Sequence, residues 1–329
     1  MGILFLYFVV FLNALLFLLY FTGMWVVVDF IKLLFVVVYQ VFQALAQFVF
    51  PRRKSLRGET VLITGAASGI GRLTALILAK KGCKLVLWDI NLEALKAVAQ
   101  EIQDLGAETH YFECDVRKKD EVEKVANAVE DQAGNVTILI NNAGVVTGKK
   151  FLNCSESDVM RTFQVNSLAH IWTIQRFIPS MMEKNRGHIV SIASVAGYFG
   201  LVGCVDYCAS KFAAVGLIEA LRREIHGLGK MGIEFTTICP HFTATGMFAG
   251  VKLKYPNLPG LGELKPEFVA EKIVDGIETN SRTVFIPFMS RISYYLQTVI
   301  PTHSSDMLVR FLGGDEAMDT FVGRRQTKT

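Results

Sequence analysis

Tyr207 and Lys211 are the residues whose types and spacing point most directly to chemistry. Residues four apart lie on one face of a helix, so a lysine ammonium can lie close to a tyrosine phenol. A nearby cation favours the phenolate and lowers the pKa of a tyrosine from about 10. Such a phenol can act as a base near neutral pH. The spacing also fits a tyrosine at a helix start beside a surface lysine, so the pair alone does not decide.

A glycine-rich turn lies between a predicted strand and a predicted helix. The apolar run 59–64 predicts the strand, and the apolar helical pattern 73–79 predicts the helix. Glycines let a backbone approach a pyrophosphate, and a helix N-terminus attracts it. The stretch therefore predicts a dinucleotide site. Its expected cofactor contacts are Thr64, Gly65, Ser68, Gly69, Ile70 and Gly71.

Asp89 follows the second predicted strand, 84–88, and lies 18 residues after Gly71. An acidic residue at this place can bind the ribose hydroxyls of adenosine and repel a 2′-phosphate. Asp89 therefore predicts NAD rather than NADP. The alternative is a helix-capping aspartate before Asn91.

Strand-like and helical patterns continue to alternate along the chain. Further strands are predicted at 110–114, 136–140, 188–192 and 234–239, and helices at 121–132, 166–182 and 206–226. This alternation predicts an α/β fold with a doubly wound parallel sheet of the Rossmann type. The six cysteines indicate reduced thiols in a cytosol-facing domain, and no spacing of histidines and cysteines predicts a metal site. The net charge of +4, without a long basic run, argues against a nucleic-acid partner.

The first 50 residues contain only two charged residues, Asp29 and Lys32. The apolar run 1–28 is long enough to cross a bilayer of about 30 Å as a helix. A second apolar run leaves two arrangements open, one span with an interfacial helix or a hairpin in one leaflet. The basic residues after it favour a cytosolic catalytic domain. The predicted organisation is a membrane anchor at 1–50, a basic junction at 51–58, a catalytic domain at 59–290 and a helical extension at 291–329.

The order of these motifs resembles that of the short-chain dehydrogenase/reductase family over roughly residues 58–290. The resemblance is carried by TGAASGIG at 64–71, Asp-Val at 115–116, NNAG at 141–144, Asn166, Ser194 and the pair Tyr207 and Lys211. It implies that Tyr207 is the catalytic acid or base and that Lys211 lowers its pKa and contacts the nicotinamide ribose. Ser194, 13 residues before Tyr207, would bind the substrate oxygen, whereas Ser191 is expected to be a strand residue. Asn166 would hold a water that links the lysine to solvent.

The resemblance also implies cofactor contacts outside the glycine-rich turn. These are Asp115, Val116, Asn142, Ala143, Gly144, Tyr207, Lys211, Pro240, Thr243 and Thr245. One position departs from the family, which commonly has Pro-Gly after the sixth strand where this sequence has Pro240-His241. We expect His241 to be a surface loop residue, with a reshaped nicotinamide pocket as the alternative.

Within the family, the sequence is similar to a membrane-anchored group of retinol and 17-beta-hydroxysteroid dehydrogenases. The similar stretches are LWDIN at 87–91, NNAGVVTGKK at 141–150, DYCASKFA at 206–213 and TGMF at 245–248. The likeness implies NAD-dependent oxidation of a lipophilic alcohol, first retinol and alternatively a steroid. It places the protein at the endoplasmic reticulum membrane or a lipid droplet, with membrane lipid as a partner, and leaves a homodimer open. A lipid-droplet scaffold without activity is the alternative outside the enzymes.

The apolar stretch 285–300 near the C-terminus has few charges. It predicts a lid, a channel wall or a patch that binds a membrane surface. An amphipathic helix packed on the domain is the competing interpretation.

Overall fold

The computed structural model describes residues 2–258, 260 and 262–323 of the 329-residue chain. The chain divides into two compact units, Met1–Arg53 and Lys54–Thr329. The boundary between them falls within the basic segment that follows the apolar N-terminus.

The first unit is one long helix, α1, at Gly2–Val49. Its 35-residue stretch Val9–Gln43 is long and apolar enough to cross a membrane, and none of that stretch is buried within the protein. The helix continues through the polar interruption, where the side chains of Asp29 and Lys32 form an exposed ion pair at 3.2 Å. A continuous helix lacks the turn that a hairpin needs. At 1.5 Å per residue its 48 residues extend about 70 Å, roughly twice the hydrocarbon thickness of a bilayer.

The second unit is built on a seven-stranded parallel sheet in the order β3-β2-β1-β4-β5-β6-β7. The strands are β1 Thr60–Thr64, β2 Lys84–Asp89, β3 Thr109–Glu113, β4 Ile138–Asn141, β5 Gly187–Ile192, β6 Ile233–Pro240 and β7 Thr283–Ile286. The predicted doubly wound parallel sheet is confirmed. The strand order reverses between β1 and β4, and ligands of such sheets bind at the carboxyl ends of the strands beside that point.

Nine further helices connect the strands or follow them in the described residues. They are α2 Gly69–Lys80, α3 Leu92–Asp104, α4 Lys119–Ala133, α5 Glu156–Phe163, α6 Ala169–Lys184, α7 Val205–Gly227, α8 Pro266–Glu278, α9 Met289–Val299 and α10 Thr302–Phe311. Because side chains alternate across a strand, Val61 and Ile63 of β1 pack against α2, α3 and α8. Leu62 points to the other face and packs against the layer of α4, α6 and α7. Both faces of the sheet are therefore covered.

The helix predicted at 166–182 is wrong at its start. Helical structure begins at Glu156, where Ser155 forms a capping box with Asp158. A π-helical turn at Gln164–Leu168 then separates α5 from α6. The alternation of apolar residues that predicts a helix does not reveal a single wider turn, because that turn changes the hydrogen-bond partner without ending the helix.

The apolar stretch at 285–300 forms the end of β7 and the helix α9. On one face of α9, the ring of Tyr294 contacts the ring of Tyr198, with 4.8 Å between centroids. The other face leaves Ile292, Leu296 and Val299 exposed. The helix therefore packs on the domain through one face and keeps an apolar outer face. Its role as a lid, a channel wall or a membrane-binding patch stays a prediction.

Candidate active site

The residues expected to do chemistry lie where parallel strands end. The glycine-rich turn follows β1, the NNAG stretch follows β4, Ser194 follows β5, and the loop containing Thr243 follows β6. Because carboxyl ends of parallel strands share one edge of the sheet, these loops lie side by side. Helix α7 then brings Tyr207 and Lys211 to the same edge.

Tyr207 and Lys211 lie close together inside the protein, where 4% and 3% of their surfaces are exposed. The Lys211 Nζ atom lies 5.7 Å from the centre of the Tyr207 ring. It also donates a hydrogen bond of 2.9 Å to the carbonyl oxygen of Ile192 at the end of β5. The helix spacing thus places a buried ammonium beside a buried phenol, as the sequence predicts.

The direction of the Tyr207 pKa differs from the expectation. Burial raises the pKa of Tyr207 above its usual value, and a hydrogen bond with Ser194 opposes the rise. Burial also lowers the pKa of Lys211 to about 8. The net direction is upward because the loss of water around the phenol is the largest cause, and the lowering expected from Lys211 stays a prediction. With its pKa raised, the phenol is protonated at neutral pH.

Ser194 lies directly beside Tyr207, as the hydrogen bond between them shows. Its Oγ accepts a hydrogen bond of 3.1 Å from the amide of Ala196 and lies 3.3 Å from the carbonyl oxygen of Pro240. By contrast, Ser191 lies within β5 and bonds to the ring of His170 at 3.0 Å. The choice of Ser194 over Ser191 agrees with this placement.

Asn166 lies in the π-helical turn and is completely buried. Its Nδ2 donates to the carbonyl oxygen of Val145 at 2.9 Å and to Ser210 Oγ at 3.0 Å. Its Oδ1 accepts from the Val145 amide at 2.9 Å. Both amide hydrogens are thus used to join the loop after β4 to α7. Only the second lone pair of Oδ1 is left to hold a water, so that role stays a prediction.

The glycine-rich turn is held against the loop after β4. The Thr64 Oγ1 accepts from the amides of Asn142 and Ala143, each at 3.0 Å. Asn142 Nδ2 donates to the carbonyl oxygens of Thr64 and Gly65 at 2.9 and 3.0 Å. Gly144 lies next to the side-chain amide of Asn166 and the amine of Lys211. A Cβ at Gly144 would be 3.6 Å from Asn166 Oδ1 and 3.8 Å from Lys211 Nζ. These contacts make Asn142 and Ala143 supports of the turn.

Gly71 is the position of the turn where a side chain fits least. A Cβ there would lie 2.3 Å from the Gly65 carbonyl oxygen and 2.5 Å from Asn142 Nδ2. Gly65 and Gly69 have φ of +67° and +56°, which favours glycine there. Helix α2 begins at Gly69 and has no acidic residue in its first turn. The turn therefore offers a glycine backbone and a helix N-terminus without a competing carboxylate.

Gly71→Ala should lower the free energy of unfolding by about 1–3 kcal/mol, because the added methyl group meets backbone that must move. Thermal unfolding and NADH binding measure the effect, and both should weaken. Gly216→Ala is the control, since Gly216 lies in α7 with no atom within 4 Å of its Cβ. That variant should gain about 0.5–1 kcal/mol. A Gly71→Ala protein as stable as the wild type would contradict the close packing.

Asp89 ends β2 and faces the glycine-rich turn. Its Oδ2 accepts from the Ala67 amide and its Oδ1 from the Asn91 amide, each at 3.0 Å. The helix cap of α3 is Asn91, whose Oδ1 accepts from Ala94, so Asp89 is not the capping residue. Each carboxylate oxygen keeps a lone pair for a ribose hydroxyl.

Asp115 and Val116 follow β3 and are both buried. The Asp115 carboxylate pairs with Arg117, with 2.7 Å between Oδ2 and Nη2, and this contact lowers the pKa of Asp115. Val116 packs in the apolar layer that contains Trp88. The contact of this pair with adenine stays a prediction.

The loop after β6 corrects one expectation. His241 is half-buried and not a fully exposed surface residue: its Nδ1 is buried without a hydrogen-bond partner in the described part of the chain, and burial lowers the pKa of the ring to about 4. Its amide donates to the Ile286 carbonyl oxygen at 2.8 Å, which ties the loop to β7. Thr243 is buried, and Thr245 lies near it, with its amide 2.7 Å from the Thr243 carbonyl oxygen. A polar residue in a loop gives no sequence signal of burial.

Two buried polar groups near the site have no signal in the sequence pattern. Asp206 precedes Tyr207 and accepts from Thr162 Oγ1 at 2.8 Å, and Thr162 lies 3.0 Å from Thr147 on the loop after β4. His170 is wholly buried, and burial followed by the charge of Lys211 lowers its pKa to about 3. Its neutral ring adds no second positive charge beside the lysine.

The site as a whole fits a nicotinamide dinucleotide. It offers the glycine-rich turn at a helix N-terminus, a carboxylate at the end of β2 and a buried tyrosine, serine and lysine at the adjoining strand ends. Within the described residues, no group of three or more histidine, cysteine or acidic side chains is placed to hold a metal ion.

Comparison with known proteins supports this interpretation. Residues 59–255 match the family described as short chain dehydrogenase. Short-chain dehydrogenase/reductase family 16C member 6 of Bos taurus is 43% identical over 284 residues, 84% of this chain and 89% of that protein. Epidermal retinol dehydrogenase 2 of Homo sapiens is 42% identical, over 83% of this chain and 88% of its own. Human 17-beta-hydroxysteroid dehydrogenase 13 is 39% identical, over 87% and 94%.

Solved structures show the same fold. A short chain dehydrogenase/reductase from Burkholderia phymatum in complex with NAD superposes with a TM-score of 0.68 at 28% identity, over 78% of this chain and 96% of that one. An alcohol dehydrogenase from Thermococcus sibiricus complexed with 5-hydroxy-NADP gives a TM-score of 0.60 at 25% identity, over 70% and 95%. These neighbours carry either form of the dinucleotide, so the fold does not choose between NAD and NADP.

Proposed function

Because the chain belongs to the short chain dehydrogenase family, we propose that it oxidises a lipophilic alcohol with NAD and that all-trans-retinol is its substrate. The observation that carries the proposal is the placement of Ser194, Tyr207 and Lys211 together at the carboxyl edge of the sheet. The similarity to epidermal retinol dehydrogenase 2 supports the retinoid. A 17-beta-hydroxysteroid is the second candidate, since the similarity to 17-beta-hydroxysteroid dehydrogenase 13 is nearly as high.

In this proposal Tyr207 takes the proton of the substrate hydroxyl on its own oxygen, and the alcohol becomes a carbonyl. Ser194 donates a hydrogen bond that orients the same oxygen and stabilises charge on it. A bound oxidised nicotinamide supplies the acceptor for the hydride that leaves the carbinol carbon. Lys211 provides the positive charge that favours the phenolate, and Asn166 keeps the loop after β4 in place beside it. A protonated Tyr207 is likewise the acid that the reverse reduction requires.

The test is a substrate panel on membranes that contain the full chain. Retinol and estradiol are offered in parallel, each with NAD and with NADP, and cofactor reduction and product are followed. We expect retinal to form with NAD. Faster oxidation of estradiol would favour the steroid candidate, and no reduction with any lipid alcohol would favour the scaffold.

The preference for NAD is proposed to rest on Asp89. Asp89→Ser should lower kcat/KM with NAD by about 10–100-fold, because hydrogen bonds to a charged acceptor are worth about 1.5–3 kcal/mol. The value with NADP should rise as repulsion of the 2′-phosphate is removed. The measurement is the ratio of the two values of kcat/KM.

Two further variants separate this role from a structural one. Asp89→Asn keeps an oxygen that can accept a hydrogen bond from the Ala67 amide but removes the negative charge. It should therefore also lower the ratio of kcat/KM with NAD to kcat/KM with NADP. Asp104→Ser removes a charge from the end of α3 and should leave the ratio unchanged. Equal ratios in the Asp89 variants and the wild type would contradict the assignment of NAD preference to this carboxylate.

We further propose that the protein works at a membrane, with 1–50 as anchor, 51–58 as junction, 59–290 as catalytic domain and 291–329 as extension. The apolar surface of α1 supports an anchor. The exposed side chains of Ile292, Leu296 and Val299 on α9 add an apolar surface on the catalytic unit. The proposed sites are the endoplasmic reticulum and the lipid droplet. Digestion of a C-terminal tag by protease in intact microsomes would support the cytosolic orientation, and protection of the tag would overturn it.

A further inference from the structure

The last described residues, 315–323, form a strap across the loops that surround Tyr207. We call this segment the C-terminal strap. It pairs with the loop after β6 through three backbone hydrogen bonds of 2.8–3.1 Å, from Lys252 to Ala317, from Val322 to Ala249 and from Gly323 to Ala249. A fourth contact is the ion pair of Lys150, in the loop after β4, with Asp319 at 3.4 Å. The strap therefore joins two loops of the active site edge.

Three glycines in three different loops make room for the strap. A Cβ at Gly148 would lie 2.1 Å from the ring of Phe321. A Cβ at Gly203 would lie 3.0 Å from the Cβ of Met318, and one at Gly250 would lie 2.3 Å from a strap carbonyl oxygen. All three glycines have positive φ, between +67° and +88°, so both backbone shape and lack of side chain suit the contact.

The strap reaches the apolar cluster that contains the candidate base. Met318 is 7% exposed and is buried in one cluster with Tyr207, Cys208 and Phe242. The ring of Phe321 packs against the same cluster. The polar groups beside Tyr207 are Ser194 and Lys211, and the ring of Phe248 makes an edge-to-face contact with its ring. An alcohol with its hydroxyl at Tyr207 therefore meets apolar surface on the side of the strap.

We propose that Met318 and Phe321 form one wall of the alcohol site and determine how well it binds the apolar body of its substrate. The inference rests on the proposed function, because it assumes that the hydroxyl binds at Tyr207. The wall contacts the apolar body of the substrate and takes no part in proton transfer. Changes in the strap should therefore affect KM far more than kcat. It should also matter only for alcohols long enough to reach it.

The experiment uses the full chain in membranes with two alcohols that share the same reacting end. These are all-trans-retinol and 3-methylbut-2-en-1-ol, which has the allylic alcohol but lacks the apolar body. Met318→Ala and Phe321→Ala should each raise KM for retinol by about tenfold or more, the scale for lost contacts in a hydrophobic pocket. kcat for retinol should stay within about threefold, and both constants for the short alcohol should not change.

The matched control is Val322→Ala, because Val322 lies on the strap and is 59% exposed. It should leave both alcohols unaffected. Met318→Leu and Phe321→Leu guard against a folding defect, because each retains a large apolar side chain. Their KM for retinol should return close to the wild-type value. Thermal unfolding of every variant is measured alongside.

The outcomes separate the two proposals. A wild-type protein that oxidises no lipid alcohol would overturn the proposed function and the wall with it. If the wild type oxidises retinol but the Met318 and Phe321 variants match Val322→Ala, the wall alone is overturned. An equal loss of kcat with both alcohols would also overturn it, because the strap would then act on the site as a whole.

Discussion

Replacing Tyr207 with phenylalanine should lower kcat for oxidation of a lipid alcohol by about 10²–10⁴-fold, the usual contribution of a positioned acid or base. The hydroxyl is the only group removed, and it is the group that bonds to Ser194. The ring keeps its edge-to-face contact with Phe248, with 5.8 Å between centroids. The variant should therefore fold and bind NADH as the wild type does.

A second tyrosine supplies the control for this experiment. Tyr198 is half-buried, and burial raises its pKa as it does that of Tyr207. Its hydroxyl bonds to Thr283 on β7 rather than to Ser194. Tyr198→Phe should keep kcat within about threefold. A kcat of Tyr207→Phe within tenfold of the wild-type value, with NADH still bound, would contradict the role assigned to Tyr207.

The motifs were predictable because each depends on chemistry that few residue types can perform. The turn needs a positive φ at Gly65 and close backbone packing at Gly71, and only glycine meets both needs. A helix spacing of four is enough to bring Lys211 beside Tyr207. Most of the strands were found for a similar reason, since their continuous apolar runs are typical of strands buried on both faces. The strand β7 at Thr283–Ile286 was not predicted.

Long-range packing explains what the sequence could not reveal. The strap meets Gly148 and Gly203, which lie more than a hundred residues before it in the chain. No local pattern reports such a contact. The burial of His241 and the raised pKa of Tyr207 likewise depend on how the loops close over them. A spacing rule gives the distance between two charges but not the amount of water around them.

Lys211→Met should lower kcat/KM for alcohol oxidation by about 10²-fold at pH 7 and move the rising limb of its pH profile to higher pH. The ammonium lies 5.7 Å from the Tyr207 ring, and a cation nearby favours the phenolate. Its removal raises the pKa of Tyr207 further, so a smaller fraction of the enzyme carries the phenolate at any neutral pH. Lys211→Arg keeps a cation and should recover part of the activity. Lys96→Met, at an exposed lysine, is the control and should change nothing.

The same variant should be more stable than the wild type, which separates loss of activity from loss of fold. Burial lowers the pKa of Lys211 from 10.5 to about 8, so holding its charge inside the protein costs on the order of 3 kcal/mol. Methionine avoids this cost. It also leaves the Ile192 carbonyl oxygen without its hydrogen-bond donor, which destabilises the variant by about 1 kcal/mol. The net gain at pH 7 is about 2 kcal/mol.

The pH dependence of this gain follows from the direction of the pKa. Below pH 8 both the folded and the unfolded wild type carry the proton on Lys211, so the full cost is present. Between pH 8 and 10.5 the folded protein releases the proton while the unfolded chain keeps it, and wild-type stability rises relative to the variant. Denaturant unfolding of both proteins at pH 7 and pH 9.5 measures the difference. A variant less stable than the wild type at pH 7, or a gap that widens with pH, would contradict a buried charged Lys211 as the source of both effects.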